Sequence, residues 1–164
     1  MADKTGIEWT DATWNPTTGC DKISAGRDNC YAPLKQAGRL QAMGSPRYLT
    51  DGNPVTSGPG FGIAIHDAAE FYQPLRWSRP RKIFVNSMSD LFHAKVDRFF
   101  VARVYAVMLL CPRHVFQILT KRPSRMRRVL TDPAFPGMVA SELEHVVTAS
   151  PVKISDDAVT AACG

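Results

Sequence analysis

The strongest constraint on the fold lies between residues 83 and 130, where strand-like and helix-like segments alternate. Ile83–Asn86 and His114–Thr120 are short runs that are typical of buried strands. Between them, "DRFFVARVYAVMLLC" has Asp97 as its N-cap and Pro112 as its stop, and its few polar positions predict a largely buried helix. A second helix, "PSRMRRVL", begins at Pro123. Strand, helix, strand and helix with short links predict right-handed βαβ units and a parallel sheet.

The remaining segments carry weaker signals. The pattern becomes irregular after Leu130, so we predict the N-terminal part of an α/β domain over residues 1–130 and a divergent, poorly defined segment over residues 131–164. The other predicted elements are a first strand at Gly6–Thr10, a long loop over Asp11–Cys30, a helix over Tyr31–Met43, an accessory strand at Phe61–His66, a short helix in "DAAEFYQPLRW" and a strand at His145–Ser150.

The chain has 164 residues, whereas a complete eight-stranded βα barrel typically needs ~250 and rarely fewer than ~200. We therefore predict an α/β fold in the form of an incomplete barrel or an open sheet. An incomplete barrel exposes a strand edge and an apolar inner face, so a protein partner that covers this edge is one expectation.

The loop "TGCDKISAGRDNCYA" raises the question of a metal site. Cys20 and Cys30 flank a Gly-Arg pair just before the predicted helix. Closely spaced cysteine thiolates in a loop are typical ligands of iron–sulfur clusters, but two thiolates rarely suffice. From the residues alone, the loop is either an incomplete ligand site or a loop that happens to contain two cysteines.

Several longer motifs resemble one family. They are "GIEWTDATWNPTTGC", "DNCYA", "QPLRW", "RKIFVNSMSDLFH" and "FQILTKRPSRM". Together they resemble a phage-associated family of largely uncharacterised three-cysteine proteins, which look like radical S-adenosylmethionine enzymes and are distantly similar to spore photoproduct lyase. The resemblance covers residues 1–130. It implies a radical-SAM-like barrel, a [4Fe-4S] cluster and S-adenosylmethionine as cofactors.

The same resemblance implies a ligand set with one member lost. The family pattern is Cys, six residues, Cys, two residues, Cys and then Tyr-Ala. It makes Cys20 and Cys30 the first and third metal ligands, with Tyr31 directly after Cys30. Arg27 occupies the position of the middle ligand. A guanidinium stays protonated and has no lone pair for a metal. We therefore predict that neither the cluster nor the cofactor is retained, and that the chain is truncated, degenerate and inactive as an enzyme.

Polar residues that follow the two clearest strands are the predicted cofactor or substrate contacts. They are Asn86, Ser87, Ser89, Asp90 and Lys121. Parallel α/β folds place functional groups at the carboxyl ends of their strands. The simpler explanation is turn chemistry, because Asn, Ser and Asp readily bind backbone groups at strand ends.

A different class of function stays open. The net charge is +5, and basic residues concentrate between Arg76 and Arg128. Such a stretch fits a basic module that binds nucleic acid or a partner protein without redox chemistry. The candidate phosphate contacts are Arg122, Arg125, Arg127 and Arg128. A solvated basic face explains the charges equally simply, and a gene remnant with no selected function is a third possibility.

No apolar run reaches the ~18 residues of a membrane span. The opening "MADKTGIEWTD" is acidic and lacks an apolar signal region. These features predict a cytoplasmic protein without a membrane partner.

Overall fold

The structure is a computed structural model that describes residues 5–21, 30, 32–55, 57–66 and 69–163. It has a mixed α/β fold, as predicted. A π-helical turn (Ala32–Ala37) leads into the first α-helix, and a 3-10 turn (Pro46–Tyr48) follows that helix. In chain order the elements are β1 (Ala12–Trp14), β2 (Thr17–Thr18), α1 (Gly38–Ala42), β3 (Ala64–Ile65), α2 (Gln73–Arg76), β4 (Lys82–Val85), α3 (Arg98–Leu109), β5 (Val115–Ile118), α4 (Pro123–Leu130), α5 (Phe135–Ala149) and α6 (Asp156–Cys163).

The predicted βαβ unit is confirmed. β4 runs parallel to β5, and α3 connects the two strands. The Asp97 carboxylate caps α3 by accepting a hydrogen bond from the Phe99 amide at 2.7 Å. β1 pairs in parallel with the other edge of β4, so the strand order is β1-β4-β5. β2 and β3 form a separate antiparallel pair.

The two faces of the sheet differ in composition because side chains alternate along each strand. One face carries Trp14, Val85 and Ile118 in a single row and belongs to the main core. The other face carries the row Thr13, Phe84 and Gln117, which we call the open face. Trp9 packs over this row, with its ring centroid 4.8 Å from that of Phe84.

Helix α3 is apolar on most sides because it is enclosed. One side of it packs in the sheet core, and the other meets α5. The Arg103 guanidinium donates to the Glu142 carboxylate at 2.6 Å, and the rings of Tyr105 and Phe135 contact each other edge to face at 5.5 Å between centroids. Residues beyond 130 therefore share the core of the βαβ unit.

Two predicted strands are wrong. Gly6–Thr10 forms no strand, because its residues enter a turn in which the Thr10 amide donates to the Ile7 carbonyl, and the first strand begins at Ala12. His145–Ser150 lies almost wholly in α5 instead of a strand. The buried positions of α5, which are Phe135, Val139, Leu143 and Val146, recur at helical spacing and bury one stripe against α3.

The described strands form an open three-stranded parallel sheet and one two-stranded pair, and they do not close into a barrel. Within the described residues, no helix is both long and apolar enough to cross a bilayer.

Candidate functional site

Three loops meet at the carboxyl edge of the parallel sheet. One follows β1 and β2 and carries Cys20 and Asp21, the second follows β4, and the third follows β5. Gly19 pairs with Ser89 in an isolated bridge, so the first loop continues alongside the second. The carboxyl ends of parallel strands share one edge, which explains why residues distant in sequence converge here.

The Asp90 carboxylate joins the loops that follow β4 and β5. Asp90 is 3% exposed. Its Oδ1 accepts from the Thr120 hydroxyl at 2.7 Å and from the Phe92 amide at 3.0 Å. Its Oδ2 accepts from the Lys121 amide at 3.0 Å and from the Arg122 Nη1 at 3.0 Å. With four donors on two oxygens, this carboxylate is occupied by the protein itself.

Arg122 carries the network from Asp90 to the cysteine loop. Its Nη1 donates to the Cys20 Sγ at 3.4 Å, and its Nη2 donates to the Asp21 carbonyl at 3.4 Å. Cys20 is 1% exposed and belongs to a small apolar cluster that also contains Phe61. Cys30 is half-buried and packs against the same cluster, so the two ends of the loop converge. Arg27 and Tyr31 lie outside the described residues.

His93 lies behind Asp21 in the same network. The His93 Nε2 and the Asp21 Oδ2 are 3.1 Å apart, and the His93 Nδ1 accepts from the Lys95 amide at 3.2 Å. Because Nδ1 is an acceptor, the ring is neutral and Nε2 is the donor. Burial lowers the pKa of His93, as does the charge of Arg122, and Asp21 offsets only part of this.

The Asp21 carboxylate is held ionised. Its burial raises the pKa, but the hydrogen bond from Ser57 and the neighbouring His93 and Lys95 outweigh burial, and the pKa lies below its ordinary value. The Ser57 hydroxyl donates to Oδ1 at 3.0 Å. Asp21 therefore supplies the negative charge on this side of Arg122.

The other predicted contacts form a second polar group near the end of β4. The Asn15 amide donates to the Ser87 hydroxyl at 3.0 Å. The Asn86 amide donates to Thr17 at 3.0 Å and to Ser89 at 3.2 Å. The Asn86 Oδ1 is buried and has no hydrogen-bond partner among the described residues.

Sequence reasoning missed Asn15, Thr17 and Asp21. All three lie within "WNPTTGCD", the segment that also contains Cys20. Their position after the first strand was the available signal, because that is the position that singled out Asn86 and Asp90 after β4.

The basic residues divide into two groups. Arg122 and Arg125 direct their guanidinium groups into the protein. The Arg125 Nη1 donates to the Ala94 carbonyl at 3.1 Å, and its Nη2 donates to the Val96 carbonyl at 2.6 Å. Arg127 and Arg128 are exposed on α4. Of the four predicted phosphate contacts, only these last two face solvent freely.

Within the described residues, no three or more His, Cys, Asp or Glu side chains are grouped so that they could hold a metal ion. Cys111 cannot complete a set with Cys20 and Cys30, because it lies before β5 at the amino edge of the sheet. It is buried there, and burial raises the pKa of its thiol to about 12.

Comparison with known proteins gives one match. The model of a family described as "Protein of unknown function (DUF5131)" matches residues 4–158. No curated protein and no solved structure matches the chain.

The buried ion pair gives a stability prediction. Replacing Asp90 by Leu leaves Arg122 buried without its partner, which we expect to cost about 3–5 kcal/mol in the free energy of unfolding measured with urea. The double variant Asp90→Leu/Arg122→Met should recover part of this loss. As a matched control, Asp132→Asn weakens the more exposed pair with Arg98 and should cost less than about 1 kcal/mol. Equal losses for Asp90→Leu and the control would contradict the central role of Asp90.

The neutral state of His93 gives a pH prediction. In the unfolded chain His93 takes up a proton near its ordinary pKa of about 6.5, whereas the folded chain resists protonation. The unfolded state then binds more protons, so stability should be full above this pH and fall as the pH drops below it. Urea unfolding between about pH 8 and pH 5 should show this decline, and His93→Gln should make it shallower. His114, whose pKa burial also lowers, should contribute to the slope that remains. An unchanged slope in His93→Gln would contradict the assignment.

Proposed function

The chain belongs to the DUF5131 family of proteins of unknown function, and we propose that it is a degenerate relative of radical S-adenosylmethionine enzymes that no longer catalyses their reaction. The observation that carries the proposal is the convergence of Cys20 and Cys30 on one apolar cluster at the carboxyl edge of a parallel sheet. This is the edge at which α/β folds place ligands, and the loop arrives there with two thiols instead of three.

The residues present do not fit the implied cluster. A [4Fe-4S] cluster with one open iron needs three thiolates in one loop, and Arg27 stands at the middle position of this loop. His93 is no substitute, because Asp21 and the Lys95 amide engage both of its nitrogens. No radical step is therefore assigned to this chain.

The surroundings of Cys20 support the same view. The guanidinium of Arg122 donates to its sulfur, and the thiol itself donates to the Asp21 carbonyl at 3.6 Å. Arg122 pairs with the Asp90 carboxylate, and the Asp21 carboxylate is hydrogen-bonded by Ser57 and His93. An edge whose charged groups are hydrogen-bonded by its own residues fits a chain that keeps the architecture of the site but not its chemistry.

The proposal predicts that one substitution restores metal binding. The wild-type chain and Arg27→Cys are expressed anaerobically with iron and sulfide, and iron per chain is measured together with the visible absorption spectrum. We expect a cluster only in Arg27→Cys, because it restores the third thiolate at the family spacing.

Two further variants locate the restored cluster. Arg27→Cys/Cys20→Ser should lose it, whereas Arg27→Cys/Cys111→Ala should keep it because Cys111 lies at the opposite edge of the sheet. A cluster in the wild type would contradict the loss of catalysis. An Arg27→Cys protein that folds but holds no iron would contradict the descent of this loop from a cluster site.

A second candidate function is nucleic-acid binding without redox chemistry. It is favoured by the exposure of Arg127 and Arg128 on α4, since no ion pair within the described residues engages them. Their charges are available to phosphate, whereas those of Arg122 and Arg125 are used internally.

This second function predicts salt-dependent binding to a duplex or single-stranded oligonucleotide. Arg127→Ala/Arg128→Ala should weaken binding uniformly across sequences and reduce the slope of log K against log salt by about 1.4–1.8 units, because two phosphate contacts are lost. Arg76→Ala/Arg79→Ala removes two exposed arginines elsewhere and serves as the control. Absence of binding at low salt would remove this candidate.

A further inference from the structure

A cavity of about 480 Å³ opens on the open face of the sheet, and Ser87 and Met88 of the loop that follows β4 form part of its wall. Its apolar wall includes Ile7, Trp9, Phe84 and Met88. Binding sites for small molecules commonly have volumes of ~300–1,000 Å³ and walls that are largely apolar with a few polar groups. The cavity therefore has the size and lining of a ligand site.

The aromatic wall is arranged to receive a ring. Trp9 is 43% exposed although it contacts Phe84, and the two ring planes meet at 60°. Part of the indole is therefore accessible to a ligand at the cavity wall. Planar π systems stack on such faces, and the indole is the largest available in proteins.

Two polar groups on the same row of the sheet lack partners. Thr13 lines the cavity and is 8% exposed, and its hydroxyl makes no hydrogen bond within the described part of the chain. Gln117 lies on the other side of Phe84 in the same row, and its Oε1 is buried without a partner among the described residues. Buried polar atoms are normally satisfied, so the Gln117 oxygen marks a place where a donor is missing. The Thr13 oxygen is not among the buried unpartnered atoms, so it is accessible to a ligand at the cavity wall.

The absence of charged side chains in the cavity wall restricts the ligand further. None of the side chains that line the cavity is ionisable near neutral pH. Burying a charge without a partner is costly, whereas a neutral ring with polar edges loses little on entering.

We propose that this cavity binds a neutral, planar nitrogen heterocycle of the nucleobase type. The ring stacks on Trp9, and its polar edge is hydrogen-bonded by the Thr13 hydroxyl. Binding at this site does not require a metal, although Met88 in its wall also packs in the apolar cluster of Cys20. The same chemistry is offered by a free nucleoside and by a base in a single strand.

In the test, adenosine or cytidine is titrated into the full chain, and binding is measured by calorimetry and by intrinsic fluorescence. Trp14 and Trp77 are buried, so quenching reports chiefly on Trp9. We expect saturable binding that weakens about tenfold in Thr13→Val and in Trp9→Ala. Thr13→Val conserves shape and strand preference, so it tests the hydroxyl even where Trp9→Ala unfolds the chain. Leu119→Ala, exposed beyond β5 and outside the cavity, should bind as the wild type does.

To distinguish a free nucleoside from a base in a strand, binding of a short single-stranded deoxyadenosine oligonucleotide is measured at low and high salt. Tighter, salt-sensitive binding of the oligonucleotide supports a base in a strand, and equal, salt-insensitive binding supports a free heterocycle. The proposal is overturned if neither nucleoside nor oligonucleotide saturates the folded chain at up to about 1 mM, or if Thr13→Val binds as tightly as the wild type.

Discussion

The Asp90 carboxylate is the constraint on which the carboxyl edge depends. It accepts from the backbone of its own loop and from the backbone, hydroxyl and guanidinium of the next one. Two loops that follow different strands are thereby fixed relative to each other, and Arg122 is aimed at the cysteine loop. A charge that is buried and fully hydrogen-bonded in this way is costly to disturb, because any single loss leaves an unpaired partner. Together with the Gly19 amide, which donates to the Met88 carbonyl, this interaction holds Cys20 beside the sheet.

The βαβ unit was predictable from the sequence because several local signals agree there. The Asp97 cap, the apolar length of α3 and the proline at the start of α4 are all short-range features. The first strand was not predictable in the same way. Trp9 and its neighbours have strand-like composition, but packing on Phe84 places them in a turn over the sheet. Tertiary contact decided the outcome, as it often does for short β-prone runs.

The position of the candidate site was predictable from the sequence, but its hydrogen-bond partners were not. The rule that functional groups follow parallel strands located Asn86, Ser87, Ser89, Asp90 and Lys121, whose functional roles stay predictions. The same rule could not show that the Asp90 carboxylate accepts hydrogen bonds from Thr120, Lys121 and Arg122. Nor could it show that Arg122, which the sequence placed in a basic stretch, turns inward to Cys20. Side-chain direction depends on partners more than thirty residues away, and no local pattern encodes them.

The carboxyl edge of the sheet and its open face differ in the surroundings of their polar groups. At the carboxyl edge, opposite charges and hydrogen-bond donors satisfy one another, and little polar capacity is left for a ligand apart from the Asn86 carbonyl oxygen. On the open face the Gln117 Oε1 is buried without a partner among the described residues, and the accessible Thr13 hydroxyl lies near an exposed indole. Unsatisfied polar groups cost free energy in the folded chain unless something supplies their partners. The open face combines one such atom, the Gln117 Oε1, with the exposed ring of Trp9, which is why we place the binding site there.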